Sequence, residues 1–97
     1  MLKGKQKRHL RSLAHSLKPT VNVGKQGWTQ ELGEQIKQQL EQHELIKVRI
    51  LEGAPEDKSH YAQLIPKETR SELVQLIGKT LVLYTPHPEE PVIHLPS

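Results

Sequence analysis

Leu10, Leu13, Ala14 and Leu17 recur at i, i+3, i+4 and i+7, the spacing of an amphipathic helix. Lys7, Arg8 and Arg11 fall largely outside that stripe, so the pattern predicts a first helix over about residues 3–16 with a basic side toward solvent. Pro19 stops it, because the residue before a proline is pushed toward extended geometry. "TVNV" then reads as a short strand running into the turn "GKQG" at residues 24–27. Thr29 is placed to cap a second helix, with Glu31 in its first turn and Leu32, Ile36 and Leu40 tracing one face to about His43. In "ELIKVRIL", Val48 and Ile50 alternate with Lys47 and Arg49, the period of a half-buried strand that Gly53 closes. Pro55, followed by Glu56 and Asp57, predicts the start of a third helix whose buried side includes Tyr61, Leu64 and Ile65. Pro66 predicts a kink or break in that helix, since an interior proline lacks the backbone donor and clashes one turn back. "ELVQLIG" and "KTLVLYT" predict two antiparallel strands around a tight Gly78-Lys79 turn. Residues 86–97 form a proline-rich tail or, at "VIHL", a short edge strand.

The predicted order is α-β-α-β-α-β-β, a small α/β layer structure with helices packed on one sheet. Ninety-seven residues, 34% of them hydrophobic, suit a single domain over 1–97 with a modest core. Three aromatic residues, Trp28, Tyr61 and Tyr84, leave the interior to Leu, Ile and Val, with little room for a deep catalytic cavity. The absence of cysteine excludes disulfides and thiolate chemistry and suits a reducing compartment. No apolar run approaches the roughly 20 residues of a membrane span and no secretory segment is evident. The expectation is a soluble, cytoplasmic monomer without a membrane partner.

Charge changes this picture. The formal net charge is +3, yet Lys3, Lys5, Lys7, Arg8, Arg11, Lys18 and Lys25 give residues 1–30 seven positive charges and no acid. The remaining seven basic and eleven acidic residues sum to −4. Such polarity predicts one positive face that attracts a polyanion. The turn Gly24-Lys25-Gln26-Gly27 lies in the same acid-free segment, between a strand and a helix start, where absent side chains and the helix dipole favour a phosphate. A G-x-x-G loop is also how KH modules clamp a nucleic-acid backbone. Lys3, Lys5, Lys7, Arg8, Arg11 and Lys18 are the candidate phosphate contacts, with His9 and His15 adding charge at lower pH. Trp28, next to the loop, is either a stacking platform for a base or a hydrophobic brace at the start of the second helix.

Other chemistry finds no support. Gly78-Lys79-Thr80 resembles part of a phosphate-binding loop, but the position five residues before Gly78 is Leu73 rather than glycine. The six histidines show no metal spacing, and Glu56-Asp57 and Glu89-Glu90 read as helix-start and tail charges rather than an acid/base couple. No catalytic residue, metal, cofactor or small-molecule substrate is predicted.

The basic opening "KQKRHLRSLAHSLKPTVNVGKQG", then "LEQHELIKVRI", then "VQLIGKTLVLY" span nearly the whole chain. In this order and at these distances they resemble the CRM domain family in its stand-alone bacterial, YhbY-like form. The resemblance implies a KH-like RNA-binding domain with a mixed four-stranded sheet, similar to the C-terminal domain of translation initiation factor three. Stand-alone members are associated with precursors of the large ribosomal subunit, and plant relatives use the domain in organellar intron splicing. Carried onto this chain, the loop is Gly24, Lys25, Gln26 and Gly27, and the basic helix includes Lys5, Lys7, Arg8 and Arg11. Pro66 and Trp28 depart from the family's pattern. The function implied is backbone contact to ribosomal RNA during large-subunit assembly; the alternative is an adaptor whose basic face docks on an acidic protein.

Overall fold

A computed structural model describes residues 2–97. The elements are α1 (Gly4–Ala14), β1 (Val21–Val23), α2 (Gln30–His43), β2 (Leu45–Ile50), α3 (Lys58–Thr69), β3 (Glu72–Ile77) and β4 (Thr80–Tyr84). They build one mixed sheet in the order β1-β2-β4-β3, with β1 parallel to β2 and the other pairs antiparallel. The small α/β domain with a four-stranded mixed sheet is therefore as the sequence predicts.

Side-chain alternation decides where the helices go, because successive residues of a strand face opposite sides. Ile46, Val48 and Ile50 of β2 join Leu81 and Leu83 of β4 in a core cluster with Ile36 and Leu40 of α2 and Tyr61 and Ile65 of α3. Leu45, Val74, Val82 and Tyr84 point the other way and are covered by Leu10 and Ala14 of α1, with Leu2, Ile93 and Leu95 at the margin. Two helices thus cover one face of the sheet, and α1 with the tail forms a partial layer on the other.

Several boundaries differ from the sequence expectation. α1 stops at Ala14, where His15 and Leu17 fold into a turn by donating back to Arg11, Ser12 and Ala14 carbonyls. α3 begins at Lys58 rather than at Pro55, with Asp57 Oδ1 accepting from the His60 N–H at 3.0 Å; Pro55 is instead held against Gly27. Pro66 does not break α3, which continues to Thr69. The last turn is sealed beyond the proline: Thr69 Oγ1 donates to the Ile65 carbonyl at 2.7 Å, and the Arg70 and Ser71 N–H groups both reach the Pro66 carbonyl. Gly78 has φ +56, as the tight β3–β4 turn requires.

No strand forms in residues 86–97. The tail is instead anchored by Glu44, whose exposure is only 2%. Its carboxylate accepts from the N–H groups of His87, Val92 and Ile93 at 2.7–2.9 Å. Burial by itself raises this carboxyl's pKa, but the three backbone donors and the neighbouring His87 charge outweigh it and hold the group below its ordinary value. The same carboxylate and its own burial push the Tyr84 phenol upward, burial being the larger cause.

Candidate nucleic-acid interface

The loop after β1 is a turn closed by the Gly27 N–H donating to the Gly24 carbonyl at 3.0 Å, with Lys25 and Gln26 exposed at its tip. Its two glycines are there for different reasons. Gly27 is buried at φ +64, and a Cβ there would lie 2.8 Å from Pro55 Cγ and 3.0 Å from the Tyr61 hydroxyl. A Cβ on Gly24 would meet nothing within 4 Å. Gly24 leaves backbone open to the outside, whereas Gly27 serves the protein's own packing.

The expected phosphate seat at the start of α2 is partly occupied. Thr29 Oγ1 accepts from the Leu32 N–H at 3.0 Å, and Glu31 already complements the dipole in the first turn. An open depression of about 450 Å³ beside the loop includes Glu31 in its wall with Gly24 and Lys25. Attraction for an anion must therefore come from Lys25 and from cations outside α2.

Trp28 is half-buried against the α2/α3 core cluster. Its indole lies over Gly33, where a Cβ would approach ring atoms to 2.8 Å. The bracing role is the one its position fits, on the side of the sheet away from α1.

α1 supplies the other cations. Lys3, Lys5, Arg8 and Arg11 are exposed and Lys7 is half-buried. Side chains progress by about 100° per residue around a helix. With Leu10 and Ala14 turned into the sheet, Gln6 and Leu13 fall on one flank, next to the tail: Gln6 Nε2 donates to the Pro96 carbonyl at 3.1 Å and Leu13 borders Ile93. Lys7 and Arg11 fall on the opposite flank. The tail is fixed by Glu44, just before β2 begins, while the loop is fixed at the other end of β2 by the Leu51 N–H donating to the Val23 carbonyl. The flank carrying Lys7 and Arg11 therefore looks toward the loop end of the sheet.

Not every predicted cation gathers there. Lys5 projects outward or toward the tail side, Lys3 sits at the tail-side start of α1, and Lys18 lies before β1, at the end of that strand away from the loop. Arg8 points to solvent. Other polar residues lie on or beside this part of the sheet. Asn22 and Arg49 are exposed and paired across β1 and β2, Lys47 donates to the Leu17 carbonyl at 3.0 Å, and Lys79 occupies the β3–β4 turn, where its carbonyl accepts from the Ile50 N–H at 2.7 Å. The signal for Lys47 and Arg49 was present as the polar phase of β2, but that phase alone does not say which face a helix leaves open.

No helix among the described residues is long and apolar enough to cross a membrane, and no group of three or more potential metal ligands occurs among them.

Comparison with known proteins gives consistent matches. The family described as the CRS1 / YhbY (CRM) domain matches residues 2–85. "Probable RNA-binding protein YqeI" of Bacillus subtilis is 50% identical over 96 residues, covering 99% of this chain and all of that protein. An "RNA-binding protein" of Haemophilus influenzae is 43% identical over 98% of this chain and 95% of its own length. The solution structure of the hypothetical protein SAV1595 from Staphylococcus aureus superposes with a TM-score of 0.82 at 47% identity, covering 99% of this chain and 100% of that one.

Proposed function

The chain belongs to the CRS1 / YhbY (CRM) domain family, and from that premise we propose that it is a non-enzymatic RNA-binding protein that holds the sugar-phosphate backbone between its Gly24–Gly27 loop and the Lys7/Arg11 flank of α1. The observation that carries this reading is that the Lys7/Arg11 flank of α1 is turned toward the end of the sheet from which the loop emerges, with an uncovered, acid-free strip of sheet between them. Backbone contact by cations suits a protein that tolerates many sequences, because phosphate contacts fix position without reading bases. The names of the relatives support RNA as the ligand. The finer proposal is that the RNA is ribosomal, that the protein acts during large-subunit assembly as a monomer in the cytoplasm, and that it shields or positions an rRNA element.

Substituting Lys25→Glu together with Arg11→Glu should weaken RNA retention in a filter-binding assay at modest salt by about tenfold or more, since each change replaces an attraction with a repulsion. Thermal unfolding should be nearly unchanged, because both side chains are exposed. Unaltered retention would sink the loop-plus-helix surface. A protein adaptor would keep its partners after ribonuclease treatment of a pull-down; the RNA reading expects them to be lost. Cosedimentation with large-subunit precursors tests the ribosomal assignment.

A further inference from the structure

Between the Lys7/Arg11 flank and the loop lies a stretch of sheet that no helix covers. Asn22 of β1, Arg49 of β2 and Thr80 of β4 are Cα partners in one row across three strands, and cross-strand partners share a face. Arg49 is two residues beyond Lys47 and four beyond Leu45, which belongs to the core cluster under α1, so the row lies on the α1 side. α1 buries the far half of that face through Leu45, Val74, Val82 and Tyr84 and ends short of the row. Asn22 and Arg49 are consequently exposed, and Ile77, opposite Thr80, is 50% exposed.

The chemistry of this bare area is that of a phosphate seat. Arg49 stands at its centre, Lys47 is tied to the segment between α1 and β1 through the Leu17 carbonyl, and Lys79 projects from the turn beyond Thr80. Among the described residues no carboxylate pairs with Arg49, Lys79 or Lys25. The exposed row has no aromatic ring on which a base would stack: Trp28 and Tyr61 belong to the opposite face and Tyr84 is buried. Spacing is also suitable, since Asn22 is about 5 Å from Arg49 across the ladder and Gly24 about 7 Å farther along the chain.

Resting on the RNA-binding reading, we propose that this uncovered half of the sheet is the floor of the site, and that the Arg49 guanidinium is its central contact to a phosphodiester group. A planar, permanently charged fork fits two phosphate oxygens at once, which lysine cannot do. The floor joins α1 to the loop in one continuous track and makes the site a backbone reader without base stacking.

The test uses the full chain and a fluorescein-labelled, mixed-sequence single-stranded oligoribonucleotide followed by anisotropy. Arg49→Glu should lower affinity by at least about fivefold, and Arg49→Lys should recover only part of the loss. Lys67→Glu, the same charge change on α3 across the sheet, should lower affinity by less than about twofold. Equal losses for Arg49→Glu and Lys67→Glu would reduce the effect to net charge and overturn the floor. Wild-type binding by Arg49→Glu while Lys25→Glu is weakened would also overturn it and leave the RNA reading standing; wild-type binding by both would overturn the two together. Because the chain has no cysteine, Asn22→Cys carrying a benzophenone maleimide gives an independent readout. It should photo-crosslink the oligonucleotide, and the same label at Gln38→Cys on exposed α2 should not; the reverse pattern would place the RNA elsewhere.

Discussion

At Gly27 the backbone sits in the left-handed region and Pro55 and the Tyr61 hydroxyl close over the position a side chain would need. At Gly24 neither constraint exists. Gly27→Ala should therefore lower the stability measured by urea denaturation by about 2 kcal/mol or more, combining the left-handed penalty with a clash against a proline ring. Gly24→Ala should leave the urea midpoint essentially unchanged yet weaken RNA binding, because the added methyl stands where a strand's backbone must approach. Normal RNA affinity for Gly24→Ala would show that the first glycine does not serve close approach. The sequence displayed both glycines at the right spacing. It offered no way to tell them apart, since the difference is made by Pro55 and Tyr61, which lie about thirty residues away along the chain.

The same limit recurs between elements. α2 was legible almost to the residue because its signals are local: Thr29 caps it, and Ile36 and Leu40 mark its buried face. Its end at His43 was legible too; what was not is that Glu44, the next residue, adopts φ +63 and points its carboxylate into the tail rather than to solvent. A non-glycine residue there is strained, and the three N–H groups it captures offset that strain. Its folded pKa is depressed, so its contribution to stability is present above its ordinary value of 4.5 and is lost as pH falls through the lower folded value. Glu44→Gln should accordingly destabilise the protein by about 2 kcal/mol at neutral pH, with the difference from wild type shrinking in acid. Hydrogen exchange at His87, Val92 and Ile93 should accelerate in the variant; unchanged protection of those amides would show that the tail is held by its apolar contacts alone. Pro66 makes the complementary point. Its local effect is to disrupt a helix, but buried Ile65 and Thr69, with the bonds that seal the last turn, keep α3 intact.

Across the whole molecule, the charge division of +7 over residues 1–30 and −4 over the rest turns into a spatial one only through the sheet. α1 lies on the face opposite α2 and α3, so most of its cations stand apart from the acids of those helices. If Lys7, Arg11, Lys25, Lys47 and Arg49 each neutralise one phosphate, log K should fall with log salt at a slope of about −3 to −4 for a single strand, at roughly 0.7 per contact. Anisotropy over a salt series checks this directly, and a slope near zero would remove phosphate contact as the basis of binding.

The sequence by itself determined the number and order of the elements, most of the residues that fill the core, the acid-free cationic segment and the family; of the apolar stripe predicted for α1, Leu10 and Ala14 are buried while Leu13 and Leu17 stay exposed. Each of these is written in local periodicity, local turn chemistry or an uninterrupted run of residues. Tertiary structure decided which face of the sheet α1 takes, which flank of α1 looks toward the loop end, why Gly27 must be glycine and what the Glu44 carboxylate holds. Those outcomes depend on strand register and on contacts between residues far apart in the chain, and no pattern confined to neighbouring positions encodes them.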